Sequence, residues 1–444
     1  MMGFASSKAD ARVGRNVVVM VLSFVGNYAA SFATFPYLTR VLGPTHFGML
    51  AFATAIAAYG TLFTEWGISL SGPRAVITCR HDASHLNALI WSVLGAKMLL
   101  CVGATLALAL LMALGVGGAA ARPVVWVSWL GVLANVCTMY WLFQGLERFK
   151  LISSMIFVSR AVTLPLTFWL VRSPQDVTIA AAIQGAGPLV AALFSLTIAK
   201  RDGLLRAPAV QWRAVIARIT ESADMFVATA SVTLFGAANA IILTSHSGPY
   251  AAGIYAGADK IRTVGALVPM QLSTVLYPRI GHMFAHRKRE AARLTVMGAV
   301  AISVVSLCGA ALMVLLARPI SSIVLGAQFV GATNVLRVLA LSTVFGNLAY
   351  FLGLQVLVPW GASKLRTLVI FVTGCLNVML ALLLVADRAA MGAAISFLVC
   401  EALILLAYAV LILRNRRLRR YLSLGARALT KKHTAAAVRG ANHA

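Results

Sequence analysis

Twelve apolar runs, most of them twenty residues or longer, alternate with short polar connections along the chain. They fall at roughly 16–38, 47–68, 92–114, 124–146, 151–171, 177–199, 219–243, 251–278, 294–316, 333–359, 367–386 and 391–413. About 20 apolar residues at 1.5 Å rise span a hydrocarbon core of about 30 Å. The pattern therefore predicts an all-α polytopic membrane protein with about 12 transmembrane helices. The polar positions carry a second regularity. Of 38 Lys and Arg residues, 28 lie on the N-terminus, the even-numbered connections and the tail. The odd-numbered connections hold 5: Arg40, Arg122, Arg172, Arg318 and Arg388. Basic residues are retained on the cytoplasmic side, so both termini are expected there.

Composition narrows the class. With 60% hydrophobic and 11% charged residues, the chain leaves no stretch for a soluble domain, and the longest segment outside the runs is 414–444. A net charge of +26 distributed by topology suits an anionic inner leaflet and gives no reason to expect a nucleic-acid partner. Lys8, Arg12 and Arg15 precede an apolar run of about 23 residues, too long for a signal-peptide core, so a first transmembrane helix is expected. Cys79, Cys101, Cys137, Cys308, Cys375 and Cys400 show no CxxC spacing. His81 and His85 stand i,i+4 but lack further ligands, so no metal and no cofactor is expected. There is no G-x-x-x-x-G-K-[ST] phosphate cradle, which leaves an ion gradient or the membrane potential to drive any active transport.

A repeat organises the runs. Gly43-Pro44, Gly48, Ala51 and Ala53 recur as Gly248-Pro249, Gly253, Ala256 and Ala258, each 205 positions later. Six runs separate the copies, so both halves enter the membrane in the same sense, as in a parallel repeat with a cavity at its interface. The expected organisation is an N-terminal six-helix lobe over 1–199, a basic linker over 200–218, a C-terminal six-helix lobe over 219–413 and a basic tail over 414–444. Within that tail, Leu418, Tyr421, Leu422, Leu424 and Leu429 can form an apolar stripe, which predicts a helix lying on the inner leaflet, with a solvated, disordered tail as the alternative. On that reading, truncation after Arg420 leaves transport largely intact. Pro36, Pro165, Pro188 and Pro269 interrupt runs and are expected to kink their helices.

Five ionisable groups lie near the bilayer midplane on this layout. Arg160 sits about 14 Å deep, Asp259, Lys260 and Arg262 roughly 12–17 Å deep, and Glu401 at a similar depth. A charge there costs at least about 2.5–3.5 kcal/mol and must face protein or a wet cavity. Asp259 and Arg262 are i,i+3 and can pair, whereas Lys260 points away from both. Two readings stay open: Glu401 neutralises Arg160 or Lys260, or the lumen is net cationic and receives an anionic ligand. Lys97, Arg337, Glu65, Glu221 and Asp224 fall nearer helix ends, where snorkelling is the default, and Glu65 is additionally a candidate for gating or ion coupling.

The segment Pro36-Tyr37-Leu38-Thr39-Arg40-Val41-Leu42-Gly43-Pro44 followed by Phe47-Gly48 resembles the opening signature of bacterial polysaccharide-biosynthesis flippases. These are the O-antigen and repeat-unit translocases of the multidrug/oligosaccharidyl-lipid/polysaccharide exporter superfamily. Glu65-Trp66-Gly67 with Arg74, Tyr140 to Glu147, Gly253 to Ile261, and Leu276-Tyr277-Pro278 agree with the same family. The resemblance covers about 15–280; the last third matches only in hydropathy and loop order. It implies a two-lobed transporter, not an enzyme, that flips an undecaprenyl-pyrophosphate-linked oligosaccharide outward for O-antigen, capsule or exopolysaccharide. It further implies a cationic path over Arg160, Lys260, Arg262 and Arg40, with Asp259, Glu401 and Glu65 in charge balance or ion coupling. The implied partners are the lipid-linked substrate, membrane lipids, and the polymerase and chain-length regulator of the pathway. Family members more often carry Glu where this chain has Asp259. The alternatives are a cation-coupled multidrug exporter, which should line its cavity with carboxylates, and a membrane glycosyltransferase or polymerase, which should carry a large outer loop with paired carboxylates or a His-rich active centre.

Overall fold

Apolar runs with little polar interruption can satisfy their backbone groups in a membrane only as helices, and every regular element among the described residues is helical. The structure is a computed structural model. It describes the backbone of residues 3–208 and 211–441 and the side chains of 33–208, 211–227, 229–233 and 236–428. The helices are α1 Gly3–Glu65, α2 Ile68–Cys79, α3 Ala83–Ala113, α4 Gly118–Val136, α5 Tyr140–Gly145, α6 Phe149–Leu170 and α7 Val177–Arg201. They continue as α8 Trp212–Gly265, α9 Leu267–His286, α10 Lys288–Leu315, α11 Ala317–Val324, α12 Ala332–Leu352, α13 Ser363–Arg414 and α14 Arg416–Ala441. A short 3-10 turn precedes α7, and a π-helical turn, Gly353–Leu357, extends α12. Asp82 caps α3 by accepting from the backbone N–H of Ser84 and His85, and these bonds with the Ser84 hydroxyl pull its carboxyl down to about 2.

Three of the longest helices are broken internally by one non-helical residue: Gly43 (φ 67°, ψ 175°) in α1, Gly248 (φ 82°, ψ 170°) in α8 and Ala389 (φ 43°, ψ −127°) in α13. Positive φ at the first two demands glycine. They are the two repeat glycines, 205 residues apart (248 − 43). α3 and α10 begin with the same offset, at Ala83 and Lys288. Pro36 lies inside α1, whose one non-helical residue is Gly43, Pro165 and Pro188 lie inside α6 and α7, and Pro269 sits in the first turn of α9, where a missing N–H is harmless.

The chain forms two compact units, one ending at Gly253 and one starting at Ile254. In the first, α4 packs on α7 and α1, and α6 packs on α7 and α1. In the second, α12 packs on α10 and α13, and α14 packs on α10. Eight helical stretches among the described residues are long and apolar enough to cross a membrane: Ala33–Cys79, Ala83–Ala113, Gly118–Gly145, Phe149–Leu170, Pro174–Arg201, Lys288–Leu315, Ala332–Leu357 and Ser363–Arg414. The first contains the Gly43 break and the last the Ala389 break. α8, which carries Asp259, Lys260 and Arg262, and α9 fall outside the eight.

Alternate connections gather on the same face of the first unit. Arg80 bridges to Glu147 at 3.4 Å, and Arg148 pairs with Asp202. Asn87 and Trp91 donate to the carbonyls of Ala207 and Arg206. These contacts unite the second, fourth and sixth connections. At the other end of α6, the Tyr37 hydroxyl donates to the Val171 carbonyl at 2.6 Å, which joins the ends of the first and fifth runs.

The tail is the main departure from expectation. Leu418 and Tyr421 are buried against protein. Tyr421, Phe284 and Trp360 form a mutual edge-on cluster with centroid separations of 5.3–5.9 Å, and the Tyr421 hydroxyl hydrogen-bonds Thr295 at 3.0 Å. A β-carbon on Gly425 would stand 2.7 Å from the carbonyl carbon of Ala292. Half of the stripe assigned to lipid therefore belongs to a seam with α10. Leu424 stays exposed, and the side chain of Leu429 lies outside the described residues.

Candidate functional site

Glu65, Trp66 and Gly67 form a joint. The α1 helix ends at Glu65 because Trp66 (φ 44°) and Gly67 (φ 77°) both take left-handed conformations before α2 starts. Glu65 is held on one side. Its Oε1 accepts from Lys97 Nζ at 2.8 Å and from Asn135 Nδ2 at 3.0 Å. Lys97 also donates to the Asn135 carbonyl at 2.8 Å. Trp66 is held on the other side: its Nε1 donates to the Ile219 carbonyl at 3.0 Å and its ring stacks on Phe226 with centroids 4.0 Å apart. A β-carbon on Gly67 would meet Met225 and Phe226 at 2.7 Å. The default of snorkelling fails for Lys97, which is 0% exposed. Glu65 and two backbone carbonyls give its ammonium a complete set of acceptors inside the protein, so it has no need to reach water.

Arg160 occupies the middle of α6 and is exposed. Arg40, one turn past Tyr37 on α1, is also exposed.

In the second unit the i,i+3 pairing is present: Arg262 Nε donates to Asp259 Oδ1 at 2.7 Å. The guanidinium lies 4.6 Å over the Phe397 ring. Glu401 stands one turn after Phe397 on α13, the residue whose ring the guanidinium covers, so it lies in the neighbourhood of the Asp259–Arg262 pair. Gly346 of α12 lies against the same carboxylate; a β-carbon there would be 2.8 Å from Glu401 Oε2. Lys260 is exposed, turned from the Asp259–Arg262 pair as the helical wheel requires.

Two arrangements had no precedent in the sequence reading. Asn135 and Thr138 complete the Lys97 network from the end of α4, and the only sequence signal was an amide inside an apolar run. Ser71 and Ser222 join α2 to α8 through their hydroxyls at 2.7 Å.

This geometry defines a class: a multi-pass, all-helical membrane protein with a two-copy backbone pattern and polar clusters set into its helices. The chain belongs to the polysaccharide biosynthesis protein family, which matches residues 13–284. A protein of Escherichia coli (strain K12) described as an O-antigen transporter is 26% identical over 406 residues, covering 91% of this chain and 97% of that protein. Among solved structures, the lipid II flippase MurJ in an inward closed conformation superposes with a TM-score of 0.74 at 11% identity, covering 93% of this chain and 91% of that one. An inward-facing multidrug resistance MATE family transporter of the MOP superfamily gives 0.70 at 15% identity, covering 90% and 95%. The fold is that of this superfamily.

Proposed function

We propose that the chain translocates a lipid-linked oligosaccharide, carried on undecaprenyl pyrophosphate, from the cytoplasmic to the periplasmic leaflet for surface polysaccharide synthesis. The observation that carries this reading is the pair of exposed cations within apolar runs, Arg160 in the middle of α6 and Lys260 in the part of α8 that follows the Gly248 break. In a spanning helix such a charge must face protein, water or an anion, since lipid would cost at least about 2.5–3.5 kcal/mol. Arg262 is less available, because Asp259 already holds it. Twelve spans in two six-helix lobes, 1–199 and 219–413, with both termini cytoplasmic, complete the proposal. The gathering of the basic connections on one face supports that orientation. The inside-negative potential then favours outward movement of the anion by about 2.3 kcal/mol per charge per 100 mV.

The pairing of Glu65 with Lys97 weighs against the cation-exporter alternative, since it leaves that carboxylate already neutralised. Membership of the family and the description of the Escherichia coli relative both support a polysaccharide precursor as cargo. Deleting the gene in a strain with an intact assembly pathway is the test. Lipid-linked repeat units should accumulate on the inner leaflet and surface polysaccharide should disappear. Unchanged surface polysaccharide would refute the assignment.

A further inference from the structure

A pocket of about 370 Å³ opens beside the Glu65–Gly67 joint, between α2, the start of α3 and the start of α8. On α2, Ser71, Arg74 and Thr78 line it at helical spacing, so one face of that helix looks into the space. Across from it α8 contributes Arg218, Glu221 and Ser222, and the Ser71–Ser222 hydrogen bond ties the two walls together. Leu89 and Val93 of α3 make the third wall apolar.

The charges are unequal in their commitments. Arg218 Nη2 is 2.9 Å from Glu221 Oε1, so that pair is internally balanced. Arg74 has no hydrogen bond or ion pair among the described residues. The pocket therefore presents one uncommitted guanidinium, three hydroxyls and an apolar wall. A guanidinium matches the oxygens of a phosphate in a two-point bond, and hydroxyls complete the remaining acceptors. Two arginines and one glutamate give a net charge of one, which suits a monoanionic phosphodiester; Glu221 repels the second charge of a pyrophosphate. The apolar wall suits a phosphate that arrives attached to lipid.

We propose that this pocket binds the phosphodiester headgroup of an anionic phospholipid, held by Arg74 with Ser71, Thr78 and Ser222, at the face bearing the basic connections. The site is distinct from the mid-helix cations and does not depend on the identity of the translocated substrate. Because its walls belong to α2 and α8, an occupied pocket adds a link between those helices at the joint.

Native mass spectrometry of the full-length protein, titrated with phosphatidylglycerol, inorganic phosphate or a polyprenyl pyrophosphate, tests the proposal. Wild type should retain one phosphatidylglycerol, and Arg74→Gln should weaken that retention about tenfold, the loss expected for a charge-assisted bond. Ala75→Leu, which fills the pocket from the α2 wall and keeps every charge, should weaken it likewise and guards against a folding defect in Arg74→Gln. Arg427→Gln on α14 should not. Equal phosphatidylglycerol retention by wild type and both pocket variants would overturn the proposal. So would Arg74-dependent binding that prefers the polyprenyl pyrophosphate or inorganic phosphate.

Discussion

A β-carbon on Gly48 would lie 2.7 Å from the backbone nitrogen of Gly253, and one on Gly253 would lie 3.1 Å from the backbone nitrogen of Gly48. The same reciprocity links Gly48 to Pro249 and Gly253 to Pro44. These residues are related by the 205-residue repeat offset, so the two copies of one motif pack on each other symmetrically, backbone to backbone. Glycine is required because any side chain would occupy the space of the opposite main chain.

Gly48→Ala or Gly253→Ala is accordingly expected to destabilise the protein by about 1–3 kcal/mol, the range for overpacking a close contact. The two changes strike the same contact, so the double variant should cost less than the sum of the singles. Thermal unfolding of the purified protein in one detergent measures both effects.

The repeat and the Asp259–Arg262 pair were legible in the sequence because both depend on spacing alone: a fixed offset in one case, an i,i+3 helical step in the other. The Glu65–Lys97 pair was not, since 32 residues and a helix break separate its members and hydropathy does not specify which faces of α1 and α3 meet. The proximity of Glu401 to Phe397 and the Asp259–Arg262 pair was not legible either, for the same reason. An amphipathic stripe likewise does not say what covers it, so Leu418 and Tyr421 read as lipid-facing although Leu418 is buried and Tyr421 packs on Thr295 of α10 and on Trp360. The break at Ala389 left no trace in composition, because alanine is an ordinary helix former.

Lys97→Met leaves the Glu65 carboxylate without its cation and is expected to cost about 3–5 kcal/mol, as for a broken buried ion pair. Glu65→Gln with Lys97→Met should recover most of that stability. Transport by the recovered double variant then separates two roles. Activity near wild type assigns Glu65 to holding the joint, whereas a stable but inactive protein assigns it to ion coupling.

Truncation after Arg420 removes Tyr421, Leu422 and Gly425 from the α10 seam. The expected result is reduced stability and yield, in place of the neutral outcome that a lipid-facing tail would give. A cut after Ala428 should be tolerated, because it keeps Tyr421, Leu422 and Gly425. Size-exclusion profiles of the two truncated proteins, compared with full length, decide between them.

The proposed translocation function rests most heavily on Arg160 and Lys260, so the most direct measurement is flipping in proteoliposomes. Purified protein is reconstituted with an undecaprenyl-pyrophosphate-linked oligosaccharide, and the fraction that changes leaflet is read by its accessibility to a glycan-modifying enzyme outside the vesicle. Wild type should move the substrate, while Arg160→Gln and Lys260→Gln should each abolish movement with folding and reconstitution intact. Pairing either variant with Glu401→Gln should give no rescue, because the anion has still lost its cation. Wild-type flipping by Arg160→Gln and Lys260→Gln, or rescue of either by Glu401→Gln, would contradict a role for these cations in carrying the pyrophosphate.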